Sequence, residues 1–335
     1  MSLGTSDGTS ASTPTRSTGI RSDIRKAKRR IASYAPSGKH DKKVTPCLNA
    51  FLNRLPREGA RAVASDILDC GEDDEKLYEV FYNLFFNILL PMKATSRLDL
   101  PPAPPRPEDL DEGLDWKENQ MAEDCRFRDT CFKRDDHKCS VTGAMDVDQW
   151  AKLGCPTGLS RSQVEAAHII PLTYEYRDPA DLPDYIAQRW ATLHRCFPDL
   201  KQATLSGANL RDTCNGLSLE KSIHRDFSTF KVALQEIQPN TYRVRTFHKL
   251  SRLKRIFSKP QIIRYKPPNG TQGLAPPDPQ LLAFHLTIAE ILSDCGLGDD
   301  IDKALKEIEE ESGWGLPHKA RADAGHLLTV AIGTS

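Results

Sequence analysis

Two histidines and an asparagine stand out in this chain by their settings. His168 lies within the apolar run VEAAHII, Asn215 precedes Gly216, and His224 falls on a helix expected to start near Ser218. Imidazoles move protons or hold metal ions near neutral pH, and an asparagine amide can hold a loop in place. Each residue taken alone also has a plain structural reading. A histidine in an apolar strand is commonly a satisfied core residue, Asn-Gly is first a turn signal, and a histidine on a helix is usually solvated.

Order and context add information that single residues lack. The segments RDDHKCSVTG (134–143), EAAHIIPL (165–172) and NGLSLEKSIHRDF (215–227) follow one another with apolar framing. Together they resemble the HNH nuclease family, in particular a branch found in fungal proteins in which CxVTG, AHIIP and NGLxL…H recur. The resemblance covers about residues 125–245, and Gly273–Gly296 is similar to a helical segment that follows this domain in fungal members.

That resemblance implies a ββα-metal finger, in which two strands and a helix carry the histidine, asparagine and second histidine. His168 is then the general base that deprotonates water, a role suited to a neutral imidazole. Asn215 holds the loop and orients the base. His224 becomes the ligand of one divalent ion, Mg²⁺ first and Mn²⁺ or Zn²⁺ as alternatives. Many family members carry Asp or His just before the base, where this chain has Ala167. Glu165, on the same strand face as Ala167, is the candidate second ligand; Asp212 and Asp226 are weaker ones. The expected activity is hydrolysis of phosphodiester bonds in DNA with little sequence specificity. The alternative is a weak or inactive module of the same fold that binds nucleic acid or a protein.

The elements that must position these residues read as α+β. Residues 1–43 are Ser/Thr/Gly-rich and then basic, and are expected to be a disordered tail. A helical region follows at 44–98, with one helix at 58–70 ended by Gly71 and the next stopped by Pro91. Its apolar faces call for cover from the rest of the chain or from a second copy, so a homo-oligomer through these helices is one expectation. A Pro-rich and acidic linker is expected at 99–120, the nuclease-like domain at 121–270, a C-terminal helical segment at 271–312, and a tail at 313–335. Within the domain, a helix is expected from Asp184 to Phe197, with His194 off its apolar face. Cys139 reads as a small buried residue, His137 beside it as exposed, and His285 as packing in the apolar C-terminal helix.

Charge is balanced at 46 basic and 46 acidic residues, so attraction to nucleic acid must come from local clusters. Residues 241–266 hold nine Lys or Arg and no acid. Arg252, Lys254 and Arg255 are its candidate phosphate contacts. The nine cysteines form no CxxC pair, so neither a disulfide framework nor a zinc ribbon is expected. No Walker loop or Gly-rich dinucleotide loop is present. No run reaches the length of a bilayer span, and the N-terminus does not read as a secretory signal. An intracellular location, nuclear or cytoplasmic, is therefore expected.

Overall fold

The computed structural model describes residues 16–36, 39–94, 112–176, 182–201, 209–247, 261–265 and 274–312. Its first element corrects an expectation. Helix α1 spans Arg16–Ala32, within the segment read as a disordered tail. Ile20, Ala27 and Ile31 recur at helical spacing and are buried, leaving most of the basic side chains outside. Arg30 is not free for a partner: it pairs with Asp74 at 2.7 Å and donates to the Gly71 carbonyl. Counting charges hid this apolar stripe.

Helices α2 (Val44–Arg54), α3 (Arg57–Asp69) and α4 (Asp74–Leu84) follow. Asp73 caps α4 by accepting the Glu75 and Lys76 amides, and Gly71 takes the expected left-handed conformation (φ 56°) after α3. Pro91 does not stop the chain's helical course. A π-type turn at Phe85–Leu89 leads into α5 (Leu90–Ala94). Proline's missing N–H would leave the Asn87 carbonyl, four residues back, without its helical donor; the Tyr174 hydroxyl supplies one at 2.8 Å.

The linker expectation also needs correction, because α6 spans Glu112–Arg134 and includes part of the acidic stretch. Beyond it come β1 (Met145–Asp146), α7 (Val147–Lys152), β2 (Arg161–Ser162), β3 (Val164–His168) and α8 (Asp184–Cys196). Next are β4 (Gly216–Glu220), α9 (Lys221–Ser228), β5 (Val232–Gln238), β6 (Thr241–Thr246) and β7 (Ile262–Arg264). Helices α10 (Pro279–Cys295) and α11 (Leu297–Ser312) complete the described chain. Strands β1 and β2 are parallel, β3 and β4 are antiparallel, and β5–β6–β7 form an antiparallel sheet. Among the described residues no single helix is long and apolar enough to cross a membrane. The pair α10 and Leu297–Lys306 carries enough apolar residues but is bent by 91°, and many of those residues are buried in the core.

One apolar core runs through these elements. Helix α2 packs on α10, α3 on α1 and α8, and α10 also on β5. Gly59 brings α3 so close to α8 that a Cβ would overlap the Cys196 carbonyl. Most of the apolar residues at 44–94 are thus covered by this same chain, while Tyr82 stays exposed. Polar groups join the layers too. Buried Lys93 reaches Asp302 at 2.7 Å and the Thr229 carbonyl at 3.3 Å, and Lys231 approaches Asp302 at 3.6 Å.

His285 packs as expected, stacked on Phe227 (3.8 Å, 1°) and Phe230, with Nε2 against the Phe227 carbonyl at 3.2 Å. Burial lowers its pKa from 6.5 to about 3. As pH falls from about 6.5 to 3, the unfolded chain takes this proton and the folded chain does not. Stability that is present above pH 6.5 is therefore lost through that window, at up to about 1.4 kcal/mol per pH unit for one histidine. Urea midpoints measured from pH 7 to pH 4 should fall, and His285→Gln should flatten the slope by about one proton. An unchanged slope would count against this histidine as the cause.

Candidate active site

The order β3, β4, α9 is ββα. The strands pair in the register Val164↔Glu220 through His168↔Gly216, so His168 ends one strand directly opposite the start of the other. Ser218 lies in β4, not in the helix, which begins at Lys221 and holds His224 in its first turn. Serine at 218 is buried with its strand, and Glu220, extended in conformation, occupies the cap position.

Asn215 is fully buried and spends its amide on backbone. Its Oδ1 accepts the Ile170 N–H at 2.8 Å, and Nδ2 donates to the carbonyls of Ile170 (2.8 Å) and Leu210 (2.9 Å). Its own carbonyl accepts from Ile169 at 2.9 Å. The two residues after His168 are thereby fixed to the turn before β4. Asn215 and His168 are coupled through backbone rather than by side-chain contact.

His224 Nδ1 lies 2.8 Å from Glu165 Oε2, and Lys221 Nζ stands 3.8 Å from the other carboxylate oxygen. A carboxylate on Nδ1 fixes the tautomer and leaves Nε2 for a ligand. Ala167 is fully buried opposite Leu217. Asp226, two residues from His224, points from a different part of α9, and the Asp212 carbonyl accepts the Asn215 amide. No group of three or more potential metal ligands occurs among the described residues. One imidazole nitrogen, with Glu165 fixing its ring from Nδ1, suits a divalent ion that keeps much of its water and takes further oxygens from substrate.

His168 sits in an environment that disfavours its charged form. Burial, then the positive charges of Arg211 and His224, lower its pKa to about 3. Its ring stacks on Phe127 of α6 at 4.0 Å and 6°, and its Nε2 is buried without a hydrogen-bond partner. An orphaned imidazole nitrogen at a strand end is what a site awaiting a proton donor would present.

Helix α6 lies along this unit by a single face. Asp124 meets Arg211, Phe127 meets His168, Cys131 and Phe127 meet Gly216, and Arg134 reaches the turn around Asn215. A Cβ at Gly216 would lie 2.5 Å from Cys131 Sγ and 2.8 Å from the Phe127 ring, so glycine permits this approach. Residues 139–235 match the family model HNH_2, described as HNH endonuclease.

The matched span contains β3, β4 and α9 with His168, Asn215 and His224. It begins at Cys139, which is buried as expected. No curated protein and no solved structure matches the chain. The HNH domain model stops short of α6; Phe127 lies outside the quoted motif segments, and Arg134 opens one of them with no role assigned to it. His137 is half-buried with φ 53°, packed edge-on to Phe132, rather than exposed. His194 stands beside Trp190 on α8, half-buried. Arg252, Lys254 and Arg255 lie outside the described residues.

Proposed function

We propose that this protein is a metal-dependent endonuclease that hydrolyses phosphodiester bonds of DNA through its HNH domain, with β3, β4 and α9 as a ββα-metal finger. The observation that supports this most is the orphaned His168 Nε2 at the end of a strand pinned by Asn215, inside the matched domain. His168 accepts the proton of the attacking water at that nitrogen. Asn215 holds the strand end, since a base displaced by an ångström loses much of its advantage. Glu165 sets the His224 tautomer so that Nε2 faces the ion. A bound divalent cation offsets the negative charge that gathers on phosphate oxygens in the transition state. Mg²⁺ is the first candidate; the imidazole donor raises the standing of Mn²⁺ and Zn²⁺. Phosphate contacts from Arg252, Lys254 and Arg255 give affinity with little sequence preference.

Nicking of supercoiled plasmid with Mg²⁺, Mn²⁺ or Zn²⁺ tests this reading. Cleavage with at least one ion and none in EDTA is expected. Absence of cleavage with all three would favour the second reading, an inactive nucleic-acid-binding module. The Phe127 ring lying over His168 speaks for that alternative.

The ion's ligands have their own test. His224→Ala should abolish saturable divalent binding by calorimetry and lower activity with it. Glu165→Gln, which removes the negative charge of the Nδ1 partner, should weaken binding about 10–100-fold. Wild-type affinity in Glu165→Gln would reduce this glutamate to a solvated strand-edge residue.

A further inference from the structure

Arg211 belongs to no part of the scheme above, yet it sits beside it. It lies four residues before Asn215, next to Leu210, whose carbonyl the Asn215 amide holds. Its side chain is only 13% exposed. Nη1 meets Glu175 and, at 3.6 Å, Glu123; Nε donates to Asp124 at 2.9 Å; Nη2 is buried and has no partner.

The two N–H groups on the Nε/Nη2 edge of a guanidinium are parallel and spaced to meet two oxygens of one carboxylate or phosphate. Arg134 uses that edge fully on Asp135, by bonds of 2.8 and 2.7 Å. Arg211 uses half of it. Asp124 takes Nε alone, and the second donor is left inside the protein. An isolated structural ion pair has no reason to leave it so.

The residues that occupy Arg211 and those that cover His168 share one helix face. Asp124 and Phe127 are three residues apart on α6, hence neighbours on its surface. We infer that Arg211 is a phosphate-binding residue of this site, and that α6 holds its place: Asp124 and Glu123 stand where a nucleic-acid phosphate would bind, while Phe127 covers the base. The choice of a phosphodiester as ligand and the naming of His168 as the base rest on the endonuclease reading.

Energetics favour the exchange. Glu123 and Asp124 are 47% and 50% exposed, and ion pairs in such settings contribute little, so a polyanion can displace them. Glu175, also 13% exposed and off α6, would stay to orient the guanidinium. The C-terminal part of α6 is held by Arg134 and by Cys131 against Gly216, so the displacement concerns the segment up to and including Phe127.

A thermodynamic cycle in EDTA, where no cleavage occurs, tests this by fluorescence anisotropy of a short DNA duplex bound to the full chain. Glu123→Gln with Asp124→Asn should tighten binding roughly tenfold, the worth of one charge-assisted contact regained. The gain should vanish when Arg211→Gln is added. Asp129→Asn removes a carboxylate that lies elsewhere on α6 and is 68% exposed; it should change binding much less. A gain that survives in Arg211→Gln, or is matched by Asp129→Asn, would overturn the inference.

The folded state of each variant is checked by its melting curve, and a second readout avoids Arg211 altogether. Carbethoxylation of His168 by diethyl pyrocarbonate, followed by peptide mass spectrometry, should be slow in wild type and several-fold faster in the Glu123/Asp124 variant. Equal rates would also count against displacement of α6. The plasmid assay remains separate: tightened binding without nicking by wild type would retire the nuclease reading and leave the phosphate site standing.

Discussion

In His168→Ala the rate of plasmid cleavage is expected to fall by about 10²–10⁴-fold, while duplex binding in EDTA stays within about twofold of wild type. A general base acts on the transition state and contributes little to ground-state binding. The stacked position of the ring adds a complication that the strand setting alone did not suggest. Removing an imidazole 4.0 Å from Phe127 leaves a gap, so some loss of stability accompanies the loss of rate. His168→Gln fills more of that space and carries no imidazole nitrogen to take a proton. Both variants should show that loss of rate, and Gln should melt closer to wild type. Turnover at the wild-type rate in either would remove His168 from the mechanism.

Arg134→Ala is expected to cost about 3–5 kcal/mol of stability, because it strands Asp135 as a buried charge without its partner. The two side chains are only 3% and 6% exposed. Arg134 also donates to the carbonyls of Thr213 (2.6 Å) and Gly216 (2.9 Å), and Asp135 accepts the Ser218 N–H at 3.1 Å. The pair thus clamps both sides of the Asn215 turn. Arg134→Lys keeps the charge but loses the fork. It should retain part of the stability, lower kcat and leave the KM for DNA little changed, since the residue positions the turn and does not touch substrate. Urea unfolding and steady-state nicking read the two effects. Stability of Arg134→Ala within about 1 kcal/mol of wild type would show that the clamp is not needed.

The parts of this site visible in the sequence were those whose chemistry is local. His168 in an apolar strand, Asn-Gly at a turn and His224 on a helix each carry their setting in adjacent residues, although the helix starts at Lys221 and not near Ser218. Helix α10 was equally readable, from Pro279 at its start to the left-handed Gly296 (φ 67°) at its end. Long-range contacts were not readable in that way. Nothing near Phe127 says that its ring will lie on a histidine 41 residues later, and Gly216 gives no hint of the helix that comes so close to it. Arg134 did stand in a quoted segment, but among Lys133, Asp135, Asp136 and Lys138 it reads as a surface charge. Charge density misled in the opposite direction at α1, where a basic exterior concealed the Ile20, Ala27, Ile31 stripe.

The packing of α2 on α10 has a consequence for synthesis. Val44–Arg54 leaves the ribosome about 240 residues before Pro279–Cys295 is complete. At about 5–20 residues per second, the partner surface arrives roughly 10–50 s later. During that interval Val44, Leu48 and Phe51 lack part of the cover they have in the finished protein. Nascent chains of this protein should therefore be clients of ribosome-associated chaperones until their last helices emerge, and a stalled or truncated chain should aggregate through its first helices.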